Sequence, residues 1–206
     1  MSESETIHRY VTLKQVESMR DAAHAREQRY DTSLRDEVII TVAADLGLRV
    51  GELVQLKQAM FHLDEEEVML PGPLQKDYPV EDQSPSSATL RLDPYGEFGT
   101  VRLLRTYFKT IDDTKWVFPS REGDSHITEE TVRNVVEDLA VEADINIRRT
   151  DGELAEPSEA HPHMLRHSLS NYMLKDSDTR LIDVRNRLRH RSIQTTEQVY
   201  EHFQRR

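Results

Sequence analysis

The stretch His163-Met-Leu-Arg166-His167-Ser168 contains the strongest local pattern in this sequence. His163 and Arg166 are three residues apart, so on a helix their side chains project from the same face. An arginine beside an imidazole can hold an anion, and the planar guanidinium can bond two phosphate oxygens at once. The stretch therefore predicts a helix over about 163–175 that presents a phosphate-binding face.

Three further segments carry residue types that suit the same chemistry. They are Gly47-Leu-Arg49-Val-Gly-Glu52-Leu, Leu188-Arg-His190-Arg-Ser-Ile and Thr195-Thr-Glu-Gln-Val-Tyr200-Glu-His202. Each segment alone has an ordinary structural interpretation. Arg49 can bond the carbonyls of a helix end, the arginines of 180–191 can form a solvated face, and Tyr200 can pack on an amphipathic helix. In combination the four segments favour a site that holds a phosphate.

In this order the four segments resemble the tyrosine recombinases, or phage integrases. The family pattern is an arginine in L-R-x-x-E-L, then H-x-L-R-H, then L-G-H-x-S, and finally a tyrosine in T-T-x-x-Y-x-H. The resemblance covers about residues 10–203. It implies a site-specific DNA recombinase or integrase that needs no metal and no cofactor. The site residues that it implies are Arg49, Lys76, His163, Arg166, His190 and Tyr200.

The resemblance also implies a role for each of these residues. Arg49 and Arg166 would bind the scissile phosphate, with His163 beside them and His190 as a further donor or acid–base group. Tyr200 would attack the phosphorus and form a 3′-phosphotyrosyl linkage. Fixed cations stabilise the charge that develops on the phosphate oxygens in the transition state. A phenol with a pKa of about 10 needs such neighbours, or a base, to attack at neutral pH.

Two further residues have supporting roles. Lys76 is the family's candidate for protonating the departing 5′ oxygen, but it lies in a proline-containing loop, so a solvated loop residue is the alternative. Glu52 follows Arg49 by one helical turn, and we expect it to orient that arginine through an ion pair.

The sequence departs from the family pattern at three points. Arg189 replaces the glycine that precedes the third-motif histidine, which predicts different packing there. Tyr200 follows His190 by ten residues, one more than usual. We also expect a single catalytic domain over 1–206, with its core at about 10–203 and without a separate N-terminal core-binding or arm domain.

The periodicity predicts a mainly α fold with a small antiparallel β-sheet, an α+β class. Strands are expected at 66–70 and 89–92, with a long proline-containing insertion between them, and 144–160 is expected to form an exposed loop. Trp116–Pro119 is expected to be a buried anchor. Helices are predicted over about 12–25, 32–47, 48–57, 95–111, 128–143, 163–175, 179–189 and 194–203.

Composition restricts the classes of function. Lysine and arginine number 27 against 38 aspartates and glutamates, a net charge of -11, so DNA binding requires a local basic face such as 180–191. Acidity with scarce lysine is typical of proteins from high-salt cytoplasm, which we take as a hypothesis. The chain lacks cysteine and any zinc-type histidine spacing, so no metal site is expected. It also lacks a long apolar run and a leader, so we expect a cytoplasmic protein with no membrane contact.

Double-stranded DNA is the expected partner. We also expect a homo-oligomer on that DNA, and a separate DNA-binding protein that supplies the missing domain. Two other functions stay open from the sequence. One is a DNA-binding module or regulator that kept the fold and lost turnover, and the other is a type IB topoisomerase-like enzyme that relaxes DNA as a monomer.

Overall fold

The computed structural model describes residues 7–26, 32–75, 86–111, 114–122, 125–175 and 178–190. Within these ranges the helices are α1 (Leu13–Ala25), α2 (Ser33–Leu46), α3 (Val50–Val54), α4 (Thr100–Tyr107), α5 (Glu129–Glu142), α6 (Pro162–Met173) and α7 (Leu181–Leu188). The strands are β1 (Arg9–Tyr10), β2 (Phe61–His62), β3 (Glu67–Leu70), β4 (Ala88–Arg91), β5 (Ile147–Arg149) and β6 (Leu154–Ala155). The expected α+β class is confirmed.

Helix α2 lies at the centre of the core, where it contacts α1, α4 and α6. Its apolar residues are buried on every side, as expected for a helix that is hydrophobic all round. Helix α1 begins at the predicted capping box, in which the Thr12 hydroxyl accepts the Gln15 N–H and the Gln15 side chain accepts the Thr12 N–H. The predictions of helices over 12–25 and 32–47 are therefore confirmed.

The predicted sheet is present as three antiparallel strands in the order β2-β3-β4. Val68 pairs with Leu90 across β3 and β4, and both side chains face the core. A second sheet, in the order β1-β5-β6, was not predicted. The expectation of an exposed loop over 144–160 is wrong, since Ile147 and Ala155 pair and are buried. Strands of two or three residues are too short to show an alternating pattern.

Two predicted helices are shorter in the structure. In place of a helix over 95–111, the chain forms a turn from Asp93, whose carboxylate accepts the N–H groups of Glu97, Phe98 and Gly99 before α4 begins. In place of one helix over 48–57, α3 ends at Val54 and a short 3-10 helix follows at Gln58–Met60. Local hydrogen bonds therefore interrupt the first apolar pattern. The second is interrupted where Leu56 and Gln58 bond the backbone on either side of Trp116.

Other predicted elements are confirmed. Helix α5 matches 128–143 and begins after Thr128, whose hydroxyl accepts the Thr131 N–H. Val117 and Phe118 are completely buried, as expected of the anchor at 116–119. Helices α6 and α7 match the predictions at 163–175 and 179–189, whereas the predicted helix at 194–203 lies outside the described residues. Within the described part of the chain, no helix is both long and apolar enough to span a membrane.

Candidate anion site at the ends of three helices

The first candidate residue, Arg49, follows the end of α2. Gly47 ends that helix with a left-handed φ of 57°, and Arg49 then adopts an extended conformation as the N-cap of α3. Glu52 binds Arg49 twice: Oε2 accepts its backbone N–H at 2.9 Å, and Oε1 accepts Nη1 at 3.3 Å. The predicted ion pair between Glu52 and Arg49 is therefore present.

Arg166 lies on α6 and fastens two helix ends together. The helix begins at His161, whose Nδ1 accepts the Met164 N–H at 3.3 Å. Arg166 is only 2% exposed, and its guanidinium donates from Nη1 to the Gly47 carbonyl and from Nη2 to the Leu188 carbonyl. The helix-end carbonyl considered for Arg49 is thus bonded by Arg166. These contacts fix the guanidinium with respect to α2 and α7.

His190 follows the end of α7. The His190 N–H donates to the Arg185 carbonyl at 3.0 Å and the Arg189 N–H to the Asn186 carbonyl at 3.2 Å, which together form a Schellman motif. The motif requires a left-handed residue, and Arg189 adopts φ 56° there. Glycine takes this conformation without strain, whereas another residue pays about 1 kcal/mol. The sequence predicted that packing would differ where Arg189 replaces the family's glycine. In the structure Arg189 keeps the left-handed backbone conformation that glycine favours.

The Arg189 side chain turns inward to Glu52. Its Nη2 lies 2.7 Å from Glu52 Oε2, and its Nη1 donates to the Arg187 carbonyl at 3.2 Å. The Glu52 side chain is 1% exposed, and burial alone would favour its neutral form. The Arg189 cation opposes that effect, so the pKa of Glu52 is lowered from its ordinary value. One carboxylate therefore faces two arginines, Arg49 and Arg189.

The two candidate histidines have strongly lowered pKa values. Loss of hydration, followed by the nearby Arg166 cation, lowers the pKa of His163 to about 4. The same causes, with Arg49 next, lower the pKa of His190 to about 3. Both imidazoles are therefore neutral at pH 7 in the unliganded protein. These interactions place His163, His190, Arg166 and Arg49 within mutual electrostatic range.

Three histidine rings contact one another beside this cluster. The rings of His167 and His163 are edge-to-face with centroids 4.5 Å apart, and the His167 ring also contacts the tilted ring of His8 at 4.4 Å. The backbone of His8 is fixed by hydrogen bonds of 3.0 Å in both directions with Thr150. Burial lowers the pKa of His167 strongly. His8 was not predicted, because nothing near it in the sequence indicates a partner more than 150 residues away.

A second buried ion pair, between Arg187 and Asp45, precedes Leu188 in the chain, whereas Arg189 follows it. Arg187 Nη2 contacts Asp45 Oδ1 at 2.7 Å and the Asp45 carbonyl at 2.8 Å, and its Nη1 donates to the Arg91 carbonyl at 2.6 Å. The Thr100 hydroxyl donates to Asp45 Oδ2 at 2.8 Å. Burial raises the pKa of Asp45, and the Arg187 cation opposes the rise. This pair ties α7 to the end of α2.

The structure brings together Arg49, His163, Arg166 and His190, which come from three separate segments of the sequence. The other two predicted site residues, Lys76 and Tyr200, lie outside the described residues. In the described ranges, no group of three or more acidic or histidine side chains is arranged to hold a metal ion. The arrangement is a cationic site with neutral imidazoles, which suits a phosphate group.

A mainly helical domain with an arginine–histidine anion site matches known proteins in both sequence and fold. The chain belongs to the phage integrase family, whose sequence model matches residues 9–206. This confirms the family resemblance that the four motifs indicated.

Among curated proteins, the tyrosine recombinase XerD of Brucella abortus biovar 1 (strain 9-941) is 29% identical over 170 residues, 82% of this chain and 48% of that protein. The type 1 fimbriae regulatory protein FimE of Escherichia coli (strain K12) is 27% identical over 189 residues, 91% of this chain and 83% of FimE. The chain thus spans about half the length of the Xer relative.

Solved structures show the same fold. The XerA recombinase superposes with a TM-score of 0.69 at 22% identity, covering 94% of this chain and 60% of that one. The XerH recombinase bound to its difH substrate, in a pre-cleavage complex, gives 0.67 at 20% identity, covering 92% and 50%. The expected recombinase-like fold is confirmed by these likenesses.

Proposed function

We propose that this chain is the catalytic domain of a site-specific DNA recombinase that cleaves and rejoins DNA through a 3′-phosphotyrosyl intermediate. The observation that carries the proposal is the convergence of Arg49, His163, Arg166 and His190 at the ends of α2, α6 and α7. Family membership supports it, because the chain matches the phage integrase model over these same segments. The proposed substrate is double-stranded DNA.

The arginines supply the electrostatic part of the reaction. As the phosphorus is attacked, negative charge grows on the two non-bridging oxygens, and cations held in place beforehand stabilise it without reorganising. Arg166 is held by two backbone carbonyls and Arg49 by Glu52. Removing one such donor typically costs about 10²–10³ in rate. The arrangement therefore suits transition-state binding.

In the proposed reaction the Tyr200 oxygen forms a bond to phosphorus while the bond from phosphorus to the 5′ oxygen breaks. The phenol proton leaves to a neutral imidazole, for which His163 and His190 are the candidates. A bound phosphate favours a protonated imidazole, so DNA raises the low pKa values of the free protein and makes proton uptake easier. Lys76 is our candidate for giving a proton to the 5′ oxygen, and rejoining reverses these steps.

The net negative charge of the chain does not extend to the residues around the proposed phosphate position. Around Glu52 lie the cations Arg49, Arg166 and Arg189, and all three act on its carboxylate or on His190. Within this cluster positive charge exceeds negative charge, although the whole chain carries -11. The sign of the field at the proposed phosphate position is therefore opposite to that of the chain.

The test is covalent capture of DNA. Purified protein is incubated with nicked suicide duplexes tiled across the genomic DNA around its coding sequence, then boiled in detergent. We expect a DNA-linked band for the wild type, none for Tyr200→Phe, and an unchanged band for Tyr172→Phe. Tyr172 is a suitable control because it lies on α6 and its hydroxyl donates to Glu97 in an exposed contact.

Each other result has a clear meaning. A band that persists in Tyr200→Phe contradicts the assignment of the nucleophile. DNA binding without any band supports the regulator instead. A band accompanied by relaxation of supercoiled plasmid, without strand exchange between duplexes, supports the topoisomerase-like enzyme.

A further inference from the structure

Arg189 is one of the points at which this chain departs from its family's motif. Its backbone takes the left-handed conformation of a Schellman C′ position, where glycine is usual. A residue that served only to end α7 would be better as glycine, because glycine adopts this φ without strain. The retained side chain therefore needs an explanation beyond the helix end.

The side chain of Arg189 is 5% exposed and points to Glu52. Its Nη2 lies 2.7 Å from Oε2, the oxygen that also accepts the Arg49 N–H. The guanidinium of Arg49 meets the other oxygen, Oε1, at the longer distance of 3.3 Å. Arg49 is also the more open of the two arginines, with a side chain that is 25% exposed. Glu52 therefore makes its shorter side-chain contact with Arg189.

We propose that Arg189 is a positioning residue, which balances the charge of Glu52 so that the Arg49 guanidinium stays directed at the phosphate. This inference rests on the proposed function for its catalytic part. Glu52 can then orient Arg49 by accepting its backbone N–H and making one longer contact with its guanidinium, while the positive charge of Arg49 stays available to the phosphate.

Removing the Arg189 side chain would change the charge balance around Glu52. Without Arg189, the buried Glu52 carboxylate would lose the strongest of the cations that keep it ionised. A buried carboxylate that loses a cation either draws another one closer or takes up a proton. In the first case Arg49 turns toward Glu52 and away from DNA; in the second its orienting partner changes charge. Both changes weaken Arg49 as a phosphate ligand.

The first experiment measures cleavage of a suicide duplex under single-turnover conditions. We expect Arg189→Met to slow the cleavage step about tenfold, the size of one weakened electrostatic contact, while the DNA concentration at half-maximal rate changes less than threefold. In the Glu52→Gln background the same substitution is expected to change the rate less than threefold, because there is no carboxylate charge to balance. A tenfold loss in both backgrounds would overturn the proposal, as would no loss in either.

The second experiment needs no DNA and separates this proposal from the proposed function. Melting temperatures are measured at pH 7 and pH 4 for the wild type, Arg189→Met and Arg189→Gly. Arg133→Met is the matched control, because Arg133 pairs with Glu129 at the surface.

The melting temperature of Arg189→Met should fall below that of the wild type by at least about 3 °C more at pH 7 than at pH 4. The lowered pKa of Glu52 stabilises the fold above the unfolded pKa, and this contribution is lost as the carboxyl is protonated. Arg189→Gly should melt above Arg189→Met, since glycine relieves the left-handed strain. An equal deficit at both pH values, or one as large in Arg133→Met, would refute the charge balance even if no variant cleaves DNA.

Discussion

Two buried arginine–carboxylate pairs lie on either side of Leu188, and they differ in what else the carboxylate binds. In the pair of Arg187 and Asp45, the second carboxylate oxygen accepts the Thr100 hydroxyl and the Asp93 N–H. In the pair of Arg189 and Glu52, the carboxylate is shared with Arg49. Both pairs connect elements of the fold, but only the second also leads to a partly exposed cation.

Two arginines only two positions apart thus form buried ion pairs that have different roles. A buried pair whose remaining hydrogen bonds all reach the framework contributes rigidity, and removing one partner leaves an uncompensated charge. A buried carboxylate shared by two cations instead adjusts how strongly one of them is held. We therefore expect substitutions in the first pair to affect stability, whereas substitutions around the second should affect catalysis as well.

The largest effect is expected from Arg187→Met. Asp45 would remain buried without its cation, so we expect the free energy of unfolding to fall by about 3–5 kcal/mol. Urea unfolding followed by circular dichroism measures the change. The double variant Arg187→Met with Asp45→Asn is the control, and it should recover part of the loss, because neither charge remains and the amide oxygen still accepts from Thr100 and Asp93. A loss below about 1 kcal/mol in the single variant would mean that the two pairs do not differ as described.

The next effect is expected from Arg49→Gln, which tests the other side of the comparison. We expect the rate of DNA cleavage to fall about 10²–10³-fold, because one fixed donor to the transition state is lost. The free energy of unfolding should change by less than about 1 kcal/mol, since the side chain is partly exposed. Single-turnover cleavage and urea unfolding on the same preparation measure both quantities. A large loss of stability with little loss of rate would reverse the roles that we assign.

The smallest effect is expected at His167, whose ring contacts both His8 and His163. Its folded-state pKa is lowered by burial, so the unfolded chain binds a proton first as the pH falls below about 6.5. The wild type should therefore lose stability between pH 7 and pH 5. In His167→Gln this loss should be smaller by about 2 kcal/mol, the free energy of protonating one imidazole about 1.5 pH units below its pKa of about 6.5. Urea unfolding at the two pH values measures it, and identical losses in both proteins would contradict the assignment.

The sequence was sufficient for the longer helices α1, α2, α5 and α6, but not for every strand. Helix α2 could be predicted because its apolar residues are followed by Gly47, a typical helix end. Strand β1 could not be predicted, because Arg9 and Tyr10 acquire their structure only by pairing with Arg149 and Arg148 across the chain. A two-residue strand carries no periodicity of its own.

In the candidate site, too, some features could be predicted from the sequence and others could not. Arg49, His163, Arg166 and His190 were predicted because each lies in a recognisable motif. The contact between Arg189 and Glu52 joins positions 137 residues apart and could not be read from either segment. The sequence did indicate that Arg189 departs from the usual glycine. It could not show that the backbone would keep the glycine conformation while the side chain found a buried partner.

The hydrogen bonds of Arg166 to backbone carbonyls determine which neighbouring positions can be mutated without removing its partners. Because its acceptors belong to the main chain of Gly47 and Leu188, replacing the side chain at 188 leaves the acceptor in place. The side chain there nevertheless limits position 47, where an added Cβ would lie 2.6 Å from Leu188 Cδ2 and 3.0 Å from Leu169 Cδ2. Gly47 also has a left-handed φ of 57°, which strains any other residue, so a mutant library should keep glycine at 47 and vary 188 instead.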